Sequence, residues 1–324
     1  MNAERRAMVI GAAGQDGSYA CEALLEQGYA VTGVVRGDPA GALPNLDAVR
    51  HRMRVVRADL IDTPALERLL AEVEPDRLYN FASVSFGPDA WADPVATTTL
   101  GTVALAGLLE AVRRATRPPR FFQASSSWVF GQPSVSPQNE ATPFAPVEPY
   151  GAAKAFGNSL IRAYRDRYDL FACSGIFFNH ESPRRPERFV TRKVTRAAAK
   201  IHLGLVGEVR IADLEARRDW GYAPDYVGAA LAMLDAPRPA DYVIATGKLH
   251  SVRELVELAF AQVGLDWEEH VRLDTRLDRG RGAVANLVGD ASRAKIELGW
   301  IPRTSFEALV PLMVDADVAE LSAS

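Results

Sequence analysis

Gly11-Ala12-Ala13-Gly14-Gln15-Asp16-Gly17 lies between a short apolar run, Met8-Val9-Ile10, and an amphipathic stretch, Gly17 to Gln27. Glycines spaced this way after a strand let the backbone approach a pyrophosphate, and the helix N-terminus presents N–H groups to it. Any glycine-rich turn between strand and helix shares the pattern, so its surroundings decide. Outward from it, Ala30 to Val35, Arg77 to Ala82, Arg120 to Ser125 and Leu170 to Ile176 read as strands. Pro64 to Val73, Val95 to Ala115 and Tyr150 to Tyr168 read as helices. Apolar runs alternating with amphipathic stretches predict a parallel sheet covered by helices and wound by right-handed crossovers.

The predicted fold is α/β: a doubly wound parallel-sheet Rossmann domain over residues 1–176, with some later segments returning to it. Past Phe178 the alternation weakens into a Pro- and Arg-rich loop, Asn179 to Arg192, and then into short elements as far as Leu298-Gly299-Trp300. Residues 177–324 read as a smaller C-terminal α/β substrate lobe. A chain of 324 residues, 48% hydrophobic and 24% charged, can bury a sizeable core. Its net charge of −4 and isoelectric point near 5.8 argue against nucleic acid or an anionic membrane as the main partner. Cys21 and Cys173 lack metal-ligand spacing and read as buried thiols. With no signal-peptide pattern and no apolar run long enough for a bilayer, the expected location is cytoplasmic. No repeat or low-complexity segment is visible.

In the nucleotide loop, Gly11, Gly14, Gln15, Asp16 and Gly17 are the candidate cofactor residues. Arg36 ends the second strand, where an NADP enzyme presents a cation to the 2′-phosphate and an NAD enzyme an acid to the ribose. NADP is favoured; Asp38, two residues on, keeps NAD open. Asp59, followed by Leu60, is placed to reach the adenine edge, or else caps the helix starting near Thr63.

Tyr150 and Lys154 stand four residues apart on one helical face. An ammonium so placed lowers the phenol's pKa, holds the nicotinamide ribose and leaves a base usable near neutral pH. With the nucleotide loop and the serine cluster ending in Ser126, this constellation resembles the short-chain dehydrogenase/reductases. The length and the C-terminal lobe suit their extended branch.

Gly14-Gln15-Asp16-Gly17-Ser18-Tyr19, Asn179-His180-Glu181-Ser182-Pro183-Arg184-Arg185, Phe189-Val190-Thr191-Arg192-Lys193, Arg218-Asp219-Trp220-Gly221 and Gly289-Asp290 narrow the resemblance. Across nearly the whole chain they are similar to the GDP-mannose 4,6-dehydratases. The resemblance implies that Val190 and Lys193 face guanine, Asn179 the sugar or phosphate region, Arg218 the diphosphate, and Ser85 the hexose. For Arg184, Arg185 and Arg218, surface ion pairs are the alternative reading. In the family mechanism the tyrosine removes the proton of the sugar 4-hydroxyl as C4 gives hydride to the cofactor. A glutamate then takes the C5 hydrogen and protonates the departing 6-hydroxyl, and the hydride returns to C6.

Here Gln123-Ala124-Ser125-Ser126-Ser127-Trp128 aligns with the family's Gln-Ala-Ser-Thr-Ser-Glu, so Trp128 replaces that glutamate. Indole cannot exchange protons at neutral pH, and it fills much of the substrate space. Phe130 replaces the usual tyrosine. One reading keeps only C4 chemistry, as a 4-dehydrogenase, 4-ketoreductase or C4-epimerase. A second relocates the acid/base, with Glu148 as candidate or else an exposed loop residue. A third is a catalytically silent nucleotide-binding subunit. Gly37 replaces a family arginine, which favours a homodimer over a tetramer. Arg279 or Arg281 offers the phosphate cation, while Ala283 stands where a ribose-binding glutamate belongs. No metal is expected.

Overall fold

The computed structural model describes residues 4–83, 87–277 and 286–323. In chain order, β1 (Arg6–Ile10), α1 (Gln15–Glu26), β2 (Ala30–Val35), β3 (Arg54–Arg57), α2 (Thr63–Val73), β4 (Arg77–Asn80), α3 (Gly87–Ala92), α4 (Pro94–Gly101), α5 (Val103–Arg114), β5 (Arg120–Ala124), α6 (Pro149–Tyr168) and β6 (Ala172–Phe177) come first. They are followed by β7 (Asn179–Glu181), α7 (Val190–His202), β8 (Val209–Ile211), β9 (Arg217–Arg218), β10 (Trp220–Tyr222), α8 (Ala223–Asp235) and β11 (Tyr242–Ile244). The chain ends with β12 (His250–Ser251), α9 (Val252–Gln262), α10 (Trp267–His270), β13 (Val271–Leu273), α11 (Ser292–Leu298) and α12 (Phe306–Ser322).

Seven of these strands form one parallel sheet in the order β11-β6-β5-β4-β1-β2-β3. Alternation along β1 explains why both faces are covered. Ala7 and Val9 enter one core with Ala20, Leu24 and Phe122, while Met8 and Ile10 enter another with Leu66, Leu108 and Ile161. Strand order reverses at β1, which pairs with β2 on one side and β4 on the other. That reversal opens the crevice at the strands' carboxyl ends in which open α/β sheets bind ligands. A third core, containing Val194, Leu255, Phe260 and Val310, belongs to the later elements. Not all of the later chain sits there, since β11 completes the sheet beside β6.

The long helix read over Val95 to Ala115 is two helices. Thr102 joins them at φ −122°, ψ −73°, and its hydroxyl donates to the Thr98 carbonyl at 2.6 Å. Contrary to the sequence expectation, Pro94–Arg114 is long and apolar enough to pass as a membrane span by length and composition. In the fold it is interrupted at Thr102, and Leu105, Leu108, Leu109 and Val112 are buried in the sheet's core. Apolar packing within the molecule therefore accounts for the buried part of its composition, while Val95 and Val103 remain exposed.

Candidate active site

Gly11 has φ +80°, and a Cβ there would stand 2.8 Å from the Ala82 nitrogen; one on Gly17 would stand 2.2 Å from the Gly11 carbonyl oxygen. Side chains are therefore barred where the loop folds against the strand end and the helix start. Gly14 caps α1 without a side-chain hydrogen bond, leaving first-turn N–H groups for an anionic ligand. This bare-backbone cradle fits a dinucleotide pyrophosphate. Arg36 is exposed just beyond β2. Asp38 accepts from the Ala40 N–H at 2.9 Å, and Arg50 donates to the Gly41 carbonyl at 3.1 Å and to that of Pro39, so this loop is braced from within. Asp59 does not cap α2. It accepts from Ile61 N–H at 3.1 Å beside buried Leu60, and Asp62 makes the cap by accepting from Ala65 N–H at 3.0 Å.

Gln15 and Asp16 turn their side chains toward the segment after β6. Gln15 donates to the His180 carbonyl at 3.1 Å and accepts from the Ser182 hydroxyl at 2.8 Å. Asp16 lies 3.0 Å from His180 Nε2. Burial opposes its ionisation, but the charge and hydrogen bond of His180 prevail and hold its pKa below the ordinary carboxylate value. For His180 the same partner outweighs burial and raises the pKa. Arg184 joins the seam through Glu22 at 2.6 Å and Ser18 at 3.0 Å, stacked over Tyr19. Arg185 lies 3.1 Å from Glu181 and over Phe189. Ion pairing within the molecule thus describes both arginines.

Tyr150 and Lys154 project from the first turns of α6 and are buried, as is Ser126. Lys154 Nζ donates to the Ala124 carbonyl at 2.6 Å and lies 5.5 Å from the Tyr150 ring centre. Burial lowers the Lys154 pKa to about 8. It pushes the Tyr150 phenol up to about 12, against the lowering hydrogen bond of Ser126 and charge of Arg185. Desolvation, rather than the ammonium, thus dominates the phenol in the protein alone. Behind Lys154, Asn80 donates to Gln123 at 2.8 Å, and Asn158 donates to Ser125 at 2.7 Å while accepting from Ser174. Asn80, Gln123, Ser125, Lys154 and Asn158 line a cavity of about 20 Å³, room for one water.

Trp128 sits half-buried in the single turn Ser127–Val129, its N–H bonded to the Ser126 hydroxyl at 3.3 Å. A Cβ on Gly151 would come 2.5 Å from the Trp128 carbonyl oxygen, so glycine permits this turn to rest on α6. Buried Phe130 packs against Phe144 and Phe178. Glu148 is not an exposed loop residue: it is buried and caps α6, accepting from Gly151 N–H at 3.1 Å. Its negative charge is among the influences raising the phenol.

Asn179 opens β7 in register with Trp220, and Val190 begins α7. Lys193 donates to the Arg210 carbonyl at 2.6 Å, and burial lowers its pKa. Arg218 pairs with His250 across β9 and β12 and donates to the Arg217 carbonyl at 2.6 Å. Ser85, Arg279 and Arg281 lie outside the described residues, as does Ala283. Sequence reading gave no role of its own to Asp219, which accepts from Thr246 N–H and hydroxyl and from the N–H groups of Gly247 and Gly289. Among the described residues, no cluster of His, Cys, Asp or Glu forms a metal site.

The glycine cradle, switch-point crevice and Ser126–Tyr150–Lys154 group define an extended short-chain dehydrogenase/reductase. Solved structures agree in fold: the UDP-glucose 4-epimerase of Thermotoga maritima with UDP-glucose has a TM-score of 0.86 at 24% identity, over 98% of this chain and 100% of that one. RMD from Pseudomonas aeruginosa, complexed with NADPH, has a TM-score of 0.80 at 22% identity, over 97% and 99%. The family model for GDP-mannose 4,6 dehydratase matches residues 8–313. GDP-mannose 4,6 dehydratase 1 of Arabidopsis thaliana is 44% identical over 96% of this chain and 89% of its own length. The GDP-mannose 4,6 dehydratase of Homo sapiens is 40% identical over 96% and 91%. The chain belongs to the GDP-mannose 4,6-dehydratase family, and membership makes it a nicotinamide-dependent enzyme of nucleotide-sugar chemistry.

Proposed function

We propose that this enzyme exchanges hydride at C4 of a GDP-linked sugar, as a 4-dehydrogenase, 4-ketoreductase or C4-epimerase. One observation supports the reading: Ser126 and Lys154 flank the buried Tyr150 phenol; to it we add the sequence resemblance, which sets Trp128 against the family's elimination glutamate. Gly11, Gly14 and Gly17, the α1 N-terminus, Arg36 and Lys154 would hold the cofactor. Exposed Arg36 supports NADP. When bound, the nicotinamide supplies a hydride acceptor and donor. Tyr150 holds and moves the proton of the sugar 4-hydroxyl, Ser126 orients the phenol, and Lys154 brings positive charge beside it. The second lobe, mainly residues 177–324, would bind the sugar nucleotide through Asn179, Val190, Lys193 and Arg218.

The relatives' names and the buried Glu148 support a second reading, 4,6-dehydration with a relocated carboxylate. Glu148's cap bond to Gly151 ties at least one of its oxygens to α6, which favours the first. The same reading includes a cytoplasmic location and a homodimer, whose interface the exposed Trp91, Val95, Val103 and Phe156 on α3 to α6 would suit. The test is incubation of purified protein with GDP-mannose and related GDP-hexoses, with and without NADPH, scored by mass spectrometry. An isobaric product or a change of two hydrogens is expected, and Trp128→Glu should gain water loss. Efficient water loss by the native protein overturns the reading of position 128. Binding without turnover leaves a silent subunit.

A further inference from the structure

The seam between α1 and the segment after β6 performs more than packing. His180 Nδ1 lies 2.8 Å from the Phe178 carbonyl oxygen and Nε2 lies 3.0 Å from the Asp16 carboxylate. Both partners accept, so both ring nitrogens carry hydrogen and the ring is an imidazolium. Its face stacks on Tyr226 of α8 at 4.9 Å, and the Asp16 and His180 side chains are only 20% and 13% exposed. Asp16 also accepts from Gln15 at 3.0 Å, and Gln15 reaches Ser182 and the His180 carbonyl. The same first turn of α1 that presents backbone N–H groups to a pyrophosphate is therefore bolted by its side chains to the start of the segment carrying Asn179, Val190 and Lys193.

We propose that the Asp16–His180 ion pair and the Gln15 bonds couple the two nucleotide sites, so that occupation of the α1 cradle raises affinity at the 179–193 segment and the reverse. The inference rests on the reading that this segment binds the sugar nucleotide. Its physical basis is that paired side chains in a largely buried seam have little freedom to shift separately. A backbone adjustment at the cradle displaces residues 180–182 with it. Asp16, Gln15, His180 and Ser182 are thus positioning residues between the sites. By linkage, the two affinity changes must be equal.

Isothermal titration of the full-length protein tests this with GDP as probe, with and without saturating NADPH, and with NADPH, with and without saturating GDP. In the native protein each ligand should tighten the other by about five-fold or more. In Asp16→Asn, His180→Gln and the uncharged variant Ser182→Ala, both ligands should still bind while the coupling factor falls toward one. Intrinsic losses of affinity cancel in that factor, and Ser182→Ala keeps the test available if the charge variants fold poorly. Two ligands binding the native protein independently, or undiminished coupling in the folded variants, overturns the inference alone. Failure of native protein to bind GDP or NADPH overturns it together with the proposed function.

Discussion

Lys154 and Tyr150 share α6 but stand against unlike neighbours. Around Lys154 the Asn80–Gln123 pair and the Ser125–Asn158–Ser174 chain meet one another's hydrogen-bonding groups, and the ammonium is fixed on the Ala124 carbonyl. Near the helix start, Trp128 and Phe130 occupy the turn resting on Gly151, with Phe144 and Phe178 behind Phe130. A buried polar network loses a desolvated group's partner with every change, whereas an aromatic pocket can change shape at lower cost. On the proposed function, hydride transfer would depend on the polar side of this contrast, and the replacement of the family's glutamate by Trp128 would fall on the aromatic side.

The largest expected effect comes from removing the phenol itself. Tyr150→Phe should lower kcat by about 10³-fold with NADPH affinity retained, measured by turnover and fluorescence titration. A variant that keeps native turnover would remove the Tyr150 phenol from the chemistry.

The polar side of the comparison predicts a stability effect. Asn158→Ala strips partners from Ser125 and Ser174, and should cost about 2–4 kcal/mol in urea denaturation. A loss below about 0.5 kcal/mol, within the range of an ordinary surface substitution, would show that the pairing of Ser125, Asn158 and Ser174 contributes little to the fold.

Glu148 joins the two regions, since it caps α6 and adds negative charge near Tyr150. Glu148→Ser keeps a capping oxygen and should change stability by less than about 0.5 kcal/mol. Loss of the carboxylate favours the phenolate, so the acid limb of the kcat/KM profile should move to lower pH. An unmoved limb would remove Glu148 from the electrostatics of the site, and collapse of turnover would instead support it as the relocated acid/base.

Much of this arrangement was legible in sequence where local pattern encodes it: the short apolar run of β1, the glycines of the cradle, and Tyr150 above Lys154 on one helical face. The edge strand β3 escaped notice because its Arg54 and Arg57 are exposed and only two valines mark it. The break at Thr102 follows Gly101, but a lone glycine inside an apolar helical pattern also serves close packing, here against Ala153 of α6, and so did not announce it. The exposed-loop alternative for Glu148 failed because a capping carboxylate is hidden by the helix it starts. Gln15-Asp16 and His180–Ser182 were both visible as motifs, yet their contact crosses more than 160 residues of chain and depends on the parallel sheet, which puts the carboxyl ends of β1 and β6 on the same edge. Local pattern cannot encode such a meeting; only the strand order does.

That seam predicts an effect on how stability changes with pH. His180 has a raised folded pKa, so its contribution is complete below its ordinary value of 6.5 and is lost as pH rises through the folded value. Asp16 has a lowered folded pKa, so its contribution is complete above 3.8 and is lost as pH falls through the folded value. The pair therefore stabilises the fold fully between these two ordinary values. Above pH 6.5, the native protein should lose more stability than His180→Gln, with a difference in slope of at most about 1.4 kcal/mol per pH unit for the single proton. Parallel pH–stability curves for the two proteins would mean that the imidazolium is not preserved in solution. The α1 seam would then be joined by neutral hydrogen bonds, and its polar pairing would resemble that around Asn158 more than a charged lock.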